Sequence, residues 1–527
     1  MFLLALLVFY AIKQLVFVVA FPPFTGHDEA AHYAYLRTIA TEGRVPVLLQ
    51  DTLPLDLTPY RRYALDWPDG GKGPQYLANH PPLYYVLMTP IYWVSDSLSL
   101  AGQQFVLRLT AIPFGMVTVF LAYRLAVSLF PGDRFLATSV PIFVALQPQI
   151  SYEAAMVNND IVAIALYSGV LSLLVPGVRD RFTTPTCVWL GVVLGLALLT
   201  KGTAVTAVPV ITAAIVMTLG WRRWREWIVR AGLVALPAML LSAPWYVFLY
   251  RTYGNLSGFP QIAELQRSWN YPEGSFLSLL YSLDFIAMRF SETWGEFGWR
   301  RIPLDSTVLV AIGVPLACAF VGLIVYAAGP NLAAGLGSHS ASFESLGTPP
   351  RARRGAESTN PAYAPHEPYP AVLERDSASE GETSPQRPLV AHAGQPIGAL
   401  NELSDRRCRE RDARDERGSL TRSTMLSQAD PVMQPTRWQV VVLLILCFTC
   451  VISYLAVVQF GTRFPLTTQA RYFFPAVNAA SMLLMLGMRT WIPRAYHNYG
   501  AAALFCGLFV LNVVILTQYV IPFYSRW

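Results

Sequence analysis

Two adjacent carboxylates, Asp28 and Glu29, follow the first apolar run in the stretch Gly26-His27-Asp28-Glu29-Ala30-Ala31-His32-Tyr33. An anion at a membrane surface needs water or a counter-charge, so the pair marks either chemistry or a helix start. Asp28 can serve as N-cap to an amphipathic helix through Tyr35 and Ile39, and both readings stay open. Three more polar signals interrupt otherwise apolar sequence: Asn79-His80-Pro81-Pro82-Leu83-Tyr84-Tyr85, Asn158-Asn159-Asp160, and Leu199-Thr200-Lys201-Gly202-Thr203. Taken singly, His80 reads as an interfacial histidine, Lys201 as a snorkelling cation and Asp160 as an N-cap. Their coincidence on one face of a membrane protein, if the topology allows it, needs a chemical reason.

The elements that must position these residues are membrane helices. Of 527 residues, 54% are apolar or aromatic and 14% charged, where a soluble chain carries about a quarter charged. Apolar runs approaching the ~20 residues that cross a bilayer recur along the chain, which excludes a β-barrel and predicts an all-α, polytopic transmembrane bundle of about 11 helices. The spans are expected at 2–22, 104–130, 135–151, 161–176, 186–199, 203–220, 228–248, 304–327, 438–458, 473–488 and 500–521. The first lacks a basic n-region and a small-residue cleavage site, and it reads as a retained helix. Arg134, Arg179 with Arg181, the cluster from Trp221 to Arg230, and Arg489 with Arg494 fall on alternate turns, which the positive-inside rule places in the cytoplasm. The opposite turns, with Thr25 to His80, Asp160, Lys201, Tyr250 to Pro303 and Gln459 to Arg471, then face outward. Residues 82–95 fit this scheme as a juxtamembrane or re-entrant helix in a large first extracytoplasmic loop, because a full span there would reverse the charge bias downstream.

Residues 329–436 are rich in Pro, Ser, Gly, Arg and Glu without apolar periodicity, and they read as a disordered cytoplasmic insert. It separates a front module, 1–328, from C-terminal helices at 437–527. Cys187, Cys318, Cys447, Cys450 and Cys506 fall in or beside helices and Cys408 in the insert, so no outer loop offers a disulfide. The formal charge of +6 is scattered over short loops and the insert, which argues against nucleic acid as a partner.

In order along the chain, His27-Asp28-Glu29, Tyr33, Glu42-Gly43-Arg44-Val45-Pro46, His80-Pro81-Pro82-Leu83-Tyr84-Tyr85, Arg108, Asp160, Leu199-Thr200-Lys201-Gly202 and Ala243-Pro244-Trp245-Tyr246 form a set. This set resembles the polyprenyl-phosphate-dependent glycosyltransferases of the GT-C superfamily, particularly aminoarabinose transferases and protein O-mannosyltransferases. The likeness covers roughly the first 250 residues. Aminoarabinose transferases usually carry Lys where this chain has His80, whereas mannosyltransferases have His. Behind it, Gln469-Ala470-Arg471-Tyr472 is similar to an Arg-Tyr in the last outer loop of many members, and the long insert has no counterpart.

The resemblance implies a multi-pass enzyme of the cell membrane with its active site on the extracytoplasmic face. It would move a sugar from a polyprenyl-phosphate donor to a glycan, lipid or protein acceptor. A lipid phosphate leaving group calls for cations, and His80, Lys201 and Arg471, with Tyr472 beside it, are the candidates. Asp28 is the expected general base, with Glu29 and Asp160 orienting sugar or acceptor, and a single base opposite the leaving group implies inversion. Three carboxylates and a histidine are able to bind a divalent cation, but a cationic clamp makes a metal cofactor unnecessary. The aromatic loop from Tyr250 to Arg301, with Trp269, Trp294 and Trp299, suits either sugar stacking or an interfacial belt. Two rivals remain open at this point: a lipid-linked sugar flippase or transporter, and a non-catalytic subunit that binds sugar lipids.

Overall fold

The computed structural model describes residues 1–57, 60, 73–267, 274–329, 435–463 and 468–526. Residues 330–434 of the insert expected to be disordered, and Trp269, lie outside that description. Met1–Leu336 and Gln434–Trp527 make one compact unit, so the helices after the insert share a body with those before it. Its elements are α1 (Phe2–Ala20), α2 (Glu29–Glu42), α3 (Leu83–Val94), α4 (Leu100–Leu109), α5 (Ala111–Leu129), α6 (Arg134–Leu146), α7 (Pro148–Glu153), α8 (Asp160–Arg179), α9 (Thr184–Leu198), α10 (Ala207–Leu219) and α11 (Trp224–Tyr253). There follow α12 (Phe259–Arg267), α13 (Phe276–Leu280), α14 (Leu283–Gly295), a two-residue hairpin of β1 (Glu296–Phe297) and β2 (Ile302–Pro303), and α15 (Ser306–Ala328). After the insert come α16 (Arg437–Arg463), α17 (Val477–Trp491), α18 (His497–Val514) and α19 (Ile521–Ser525).

Among the described residues, eight helical segments are long and apolar enough to cross a membrane, and α3, α6 and α9 are shorter apolar helices. The fold is therefore an all-α polytopic bundle. At 12 residues, α3 extends only about 18 Å, too short to span ~30 Å of hydrocarbon, and it lies along α2. The Trp93 indole N–H donates to the Ala40 carbonyl at the far end of that pair (2.9 Å).

Several expected single spans are broken, and the breaks matter to the site. Pro148 cannot continue α6, and the backbone turns extended at Gln147 (φ −65°, ψ 118°), so the carbonyls of Ala145 and Leu146 lose their helical partners. Lys13 of α1 donates to Ala145 O (2.5 Å) and Asn512 to Leu146 O (2.7 Å), which satisfies both in an apolar interior. Gln147 starts α7 in a new direction by accepting from the Ile150 N–H (2.5 Å). The redirected α7 and the turn after it deliver Glu153 and Asn158-Asn159-Asp160 to one end of the bundle.

The bundle closes through small residues. At the crossing of α15 and α17, a Cβ on Gly487 would strike the Ala319 carbonyl oxygen and one on Gly322 would strike the Gly487 carbonyl oxygen. Such backbone approach is the packing mode available where lipid and side chains are equally apolar. A Cβ at Gly507 of α18 would meet nothing within 4 Å. Gly487→Ala should accordingly cost about 1–3 kcal/mol through overpacking. Gly507→Ala should be neutral or slightly stabilising, as Ala generally is over Gly in a helix. Thermal unfolding of the two variants in micelles checks this; equal midpoints would refute the close crossing.

Candidate active site

Asp28 occupies the N-cap position of α2 in a left-handed backbone conformation (φ 54°, ψ 13°), yet its side chain makes no capping hydrogen bond. That conformation is uncommon for a residue with a Cβ and signals that the position is held for another purpose. The carboxylate instead accepts from the Tyr76 hydroxyl (2.9 Å) and pairs with Arg471. Asp160, at the start of α8, is likewise freed from capping: Asn158 Oδ1 accepts its backbone N–H (2.9 Å) and that of Ile161 (3.4 Å). The Asp160 carboxylate pairs with Lys201 and reaches Arg471 at 3.4 Å.

The result is a chain of four charges, Asp28, Arg471, Asp160 and Lys201, drawn from four distant parts of the sequence. Their side chains are 11, 4, 4 and 6% exposed, so Asp28 is the most accessible member. Tyr472 lies beneath both cations, with Lys201 Nζ 5.1 Å and Arg471 Cζ 5.7 Å from its ring centre. The sequence alone offers no structural reason for Lys201 and Arg471 to meet; here two carboxylates neutralise them directly, and Asp28 touches Arg471. Burial disfavours the Arg471 charge, but Asp28 and Asp160 outweigh it and raise its pKa well above the ordinary value. Burial lowers the Lys201 ammonium below its ordinary range, against the pull of Asp160.

His80 joins the cluster through Asn159, whose amide lies 3.3 Å from His80 Nδ1 and donates to Thr200 O (2.9 Å). A bond from the Leu83 N–H to Leu199 O (3.0 Å) holds the start of α3 against the end of α9, which sets His80 beside Lys201. Burial, then the Lys201 charge, push the imidazole pKa down to about 3, so His80 is neutral at neutral pH and not the cation expected from the sequence. An amide N–H2 directed at Nδ1 assigns the proton to Nε2.

Glu29 also departs from expectation, because it does not join its neighbour. Its Oε1 accepts from Gln104 (2.5 Å), Arg108 Nε (2.8 Å) and the Val157 N–H (2.9 Å), and its Oε2 from Arg108 Nη2 (2.7 Å) and the Gly26 N–H (3.0 Å). No lone pair remains for sugar or acceptor, so Glu29 is a structural anchor. Arg108 also donates to the carbonyls of Phe21 (2.6 Å) and Pro22 (2.9 Å), closing the end of α1.

Other contributors escaped the sequence reading. Tyr76 carried no motif. Glu153 is fully buried and pairs with His27 Nδ1 (3.0 Å), and His32 meets the Tyr85 hydroxyl (2.9 Å) below His80. Of the loop tryptophans, Trp294 packs in the core against Phe143, and Trp299 donates its indole N–H to Gly26 O (3.1 Å). Trp294 serves packing, whereas Trp299 is partly exposed and stands edge-on to His27. Among the described residues no group of three or more His, Cys, Asp and Glu side chains is arranged to hold a metal ion.

Residues 79–253 match the family model described as dolichyl-phosphate-mannose-protein mannosyltransferase. The match runs across the motifs from His80 to Tyr246 that carry the resemblance. Among solved structures, the chain is similar to ArnT from Cupriavidus metallidurans bound to undecaprenyl phosphate, at 13% identity and TM-score 0.44, over 98% of this chain and 73% of that one. It is also similar to the oligosaccharyltransferase AglB from Archaeoglobus fulgidus in complex with an inhibitory peptide and a dolichol-phosphate, at 13% identity and TM-score 0.43, over 99% of this chain. The chain spans 55% of the length of that protein. No curated protein matches the chain.

The neutral His80 has a pH signature. Its folded pKa, about 3, lies below the unfolded value of about 6.5, so the unfolded chain takes up the proton first. Stability is full above pH 6.5 and falls as the pH drops toward 3. His80→Gln should flatten part of that slope in melting curves collected between pH 7 and 4. An unchanged slope would mean that His80 takes up its proton in the folded protein as readily as in the unfolded chain.

Proposed function

We propose that this protein is a membrane glycosyltransferase that moves a sugar from a polyprenyl-phosphate donor to an extracytoplasmic glycan, lipid or protein acceptor, with inversion at the anomeric carbon. The convergence of Asp28, Arg471, Asp160 and Lys201 into one buried cluster supports this reading most directly. The match to a family named for a lipid-phosphate sugar donor supports the substrate class.

The chemistry follows from the charges. Arg471 and Lys201 bind the donor phosphate, Tyr472 supports both from below, and the Nε2–H of His80 donates a further hydrogen bond. As the acceptor O–H or N–H attacks the anomeric carbon, the bond from that carbon to the phosphate oxygen breaks. The electron pair stays on the departing lipid phosphate, where the two cations stabilise it. The acceptor proton passes to Asp28. A phosphate competes with Asp28 for Arg471, so binding the donor also unmasks the base. Asp160 keeps Lys201 and Arg471 charged and apart. No divalent cation is required, because these cations supply the charge that a metal otherwise would.

Asp28→Asn should slow transfer by 10²-fold or more while leaving polyprenyl-phosphate binding intact or tighter, since Arg471 is released from its carboxylate partner. Lys201→Ala and Arg471→Ala should weaken that binding and slow transfer together. Turnover should persist in EDTA. The measurement is donor binding and transfer with purified protein. Normal transfer in Asp28→Asn would remove the base from the mechanism, and tight binding in both cation variants would remove the phosphate site.

The sidedness is tested separately. The proposed topology puts the cluster outside and residues 329–436 in the cytoplasm. A cysteine replacing Ala378 in a cysteine-free background should resist membrane-impermeant maleimide in intact cells and react after permeabilisation. Labelling in intact cells would invert the topology.

A further inference from the structure

A second group of charges lies away from the four-charge cluster, on α14 and the hairpin that follows it. Glu292, its side chain 3% exposed, forms an ion pair with Arg289 (2.9 Å) and accepts from Arg300 (2.5 Å), and Arg300 also meets Glu296 (3.0 Å). A self-contained network of this kind would be ordinary structural pairing. Three hydrogen bonds, however, leave it for one short segment. Glu292 Oε2 accepts the Ala470 N–H (2.8 Å), and Arg289 and Arg300 (2.7 Å) both donate to the Thr468 carbonyl. Gln469 between these two points is extended (φ −128°, ψ 152°), and a 3-10 helix begins at Ala470. The backbone is thus held on both sides immediately before Arg471.

We propose that Glu292, with Arg289 and Arg300, positions Arg471 for the donor phosphate; this rests on the phosphate-site reading above. The 3-10 helix offers an orphan N–H at its start, and its N-cap residue Gln469 makes no side-chain capping bond to it. A carboxylate carried 178 residues earlier in the sequence takes that role. Arginine reaches its partners through four rotatable bonds, so a small backbone shift at Ala470 moves the guanidinium by more than hydrogen-bond tolerance. Site geometry of this sort must hold to about 0.5 Å. None of the three residues touches the proposed substrate position, and they act through Arg471 alone.

The test uses the full-length protein in lipid nanodiscs, with undecaprenyl phosphate as the binding probe. Glu292→Ala should weaken binding about tenfold, the loss of roughly one charge-assisted hydrogen bond's worth of alignment. In an Arg471→Ala background the same substitution should add nothing, because the two residues act as one unit. Glu292→Gln, which keeps an acceptor for the Ala470 N–H but loses both ion pairs, should fall between and provides the reading if Glu292→Ala does not fold. An equal loss from Glu292→Ala with and without Arg471 would overturn the proposal, as would an unchanged affinity. Phenylglyoxal modification of Arg471, followed by peptide mass, provides a readout that does not depend on the donor. It should speed up several-fold in the Glu292 variants, and an unchanged rate also refutes positioning. If the wild-type protein fails to bind undecaprenyl phosphate, the phosphate site falls while the modification rate still decides whether Glu292 sets Arg471.

Discussion

The buried pair of Glu29 and Arg108 is the constraint on which the site depends. A carboxylate and a guanidinium removed from water carry a desolvation cost of several kcal/mol per ion, which is offset only when the pairing is close and the remaining lone pairs and N–H groups are filled. Here they are: Arg108 meets both oxygens of Glu29 and the Phe21 and Pro22 carbonyls just after α1, while Gln104 and two backbone N–H groups complete the carboxylate. Four pieces of chain therefore have one permitted arrangement, the end of α1, the start of α2, α4 and the turn before α8. Asp28 sits between Gly26 and Glu29, both tied to that lock. Its left-handed backbone is the geometry left to it, and the surrounding contacts hold it there.

The same accounting explains why the four-charge cluster holds together at a membrane. Two carboxylates alternate with two cations, so each charge has an opposite neighbour and the set is formally balanced. Removing one member leaves a buried charge uncompensated, which costs more than the pair itself contributes. A balanced chain of this kind also has a use. In the proposed reaction an incoming phosphate would displace a carboxylate from its cation instead of meeting bare positive charge. Binding then changes who pairs with whom, and the carboxylate set free is the one that is most exposed.

Much of the fold was legible because membrane helices announce themselves by length and composition. Each of the 11 expected spans contains helix, and the 12-residue α3 lies within residues 82–95, where a juxtamembrane or re-entrant helix was expected. The breaks at Thr110 and Pro148 were not anticipated, since an apolar run reads as continuous and only Pro148 signalled a stop. Asp28, Asp160, Lys201 and Arg471 were legible as ionisable residues stranded in apolar sequence, where a bilayer makes each of them expensive. Glu29 was misjudged for the same reason: adjacency to Asp28 suggested a shared task, and its partner Arg108 lies 79 positions away. His80 was taken as a cation because residue type was counted without burial. Tyr76, Glu153 and Glu292 left no signal, for their roles exist only as distances between remote segments.

Adjacent carboxylates with opposite fates are the economical solution to a problem that a site in a bilayer must solve. A catalytic carboxylate has to be held rigidly yet keep a lone pair for a proton, and one side chain cannot meet both demands with its own hydrogen bonds. Dividing them between neighbours works because consecutive residues share a backbone but can point apart. Glu29 takes all the fixed partners and gives the turn its rigidity. Asp28 keeps two, Tyr76 and Arg471, and in the proposed reaction the donor phosphate would claim the second. Environment, not residue type, sets the roles of two carboxyl groups, as it does wherever one acid is kept structural and its neighbour reactive. The left-handed turn at position 28 is what points them apart, so backbone strain and division of labour are one feature of the chain.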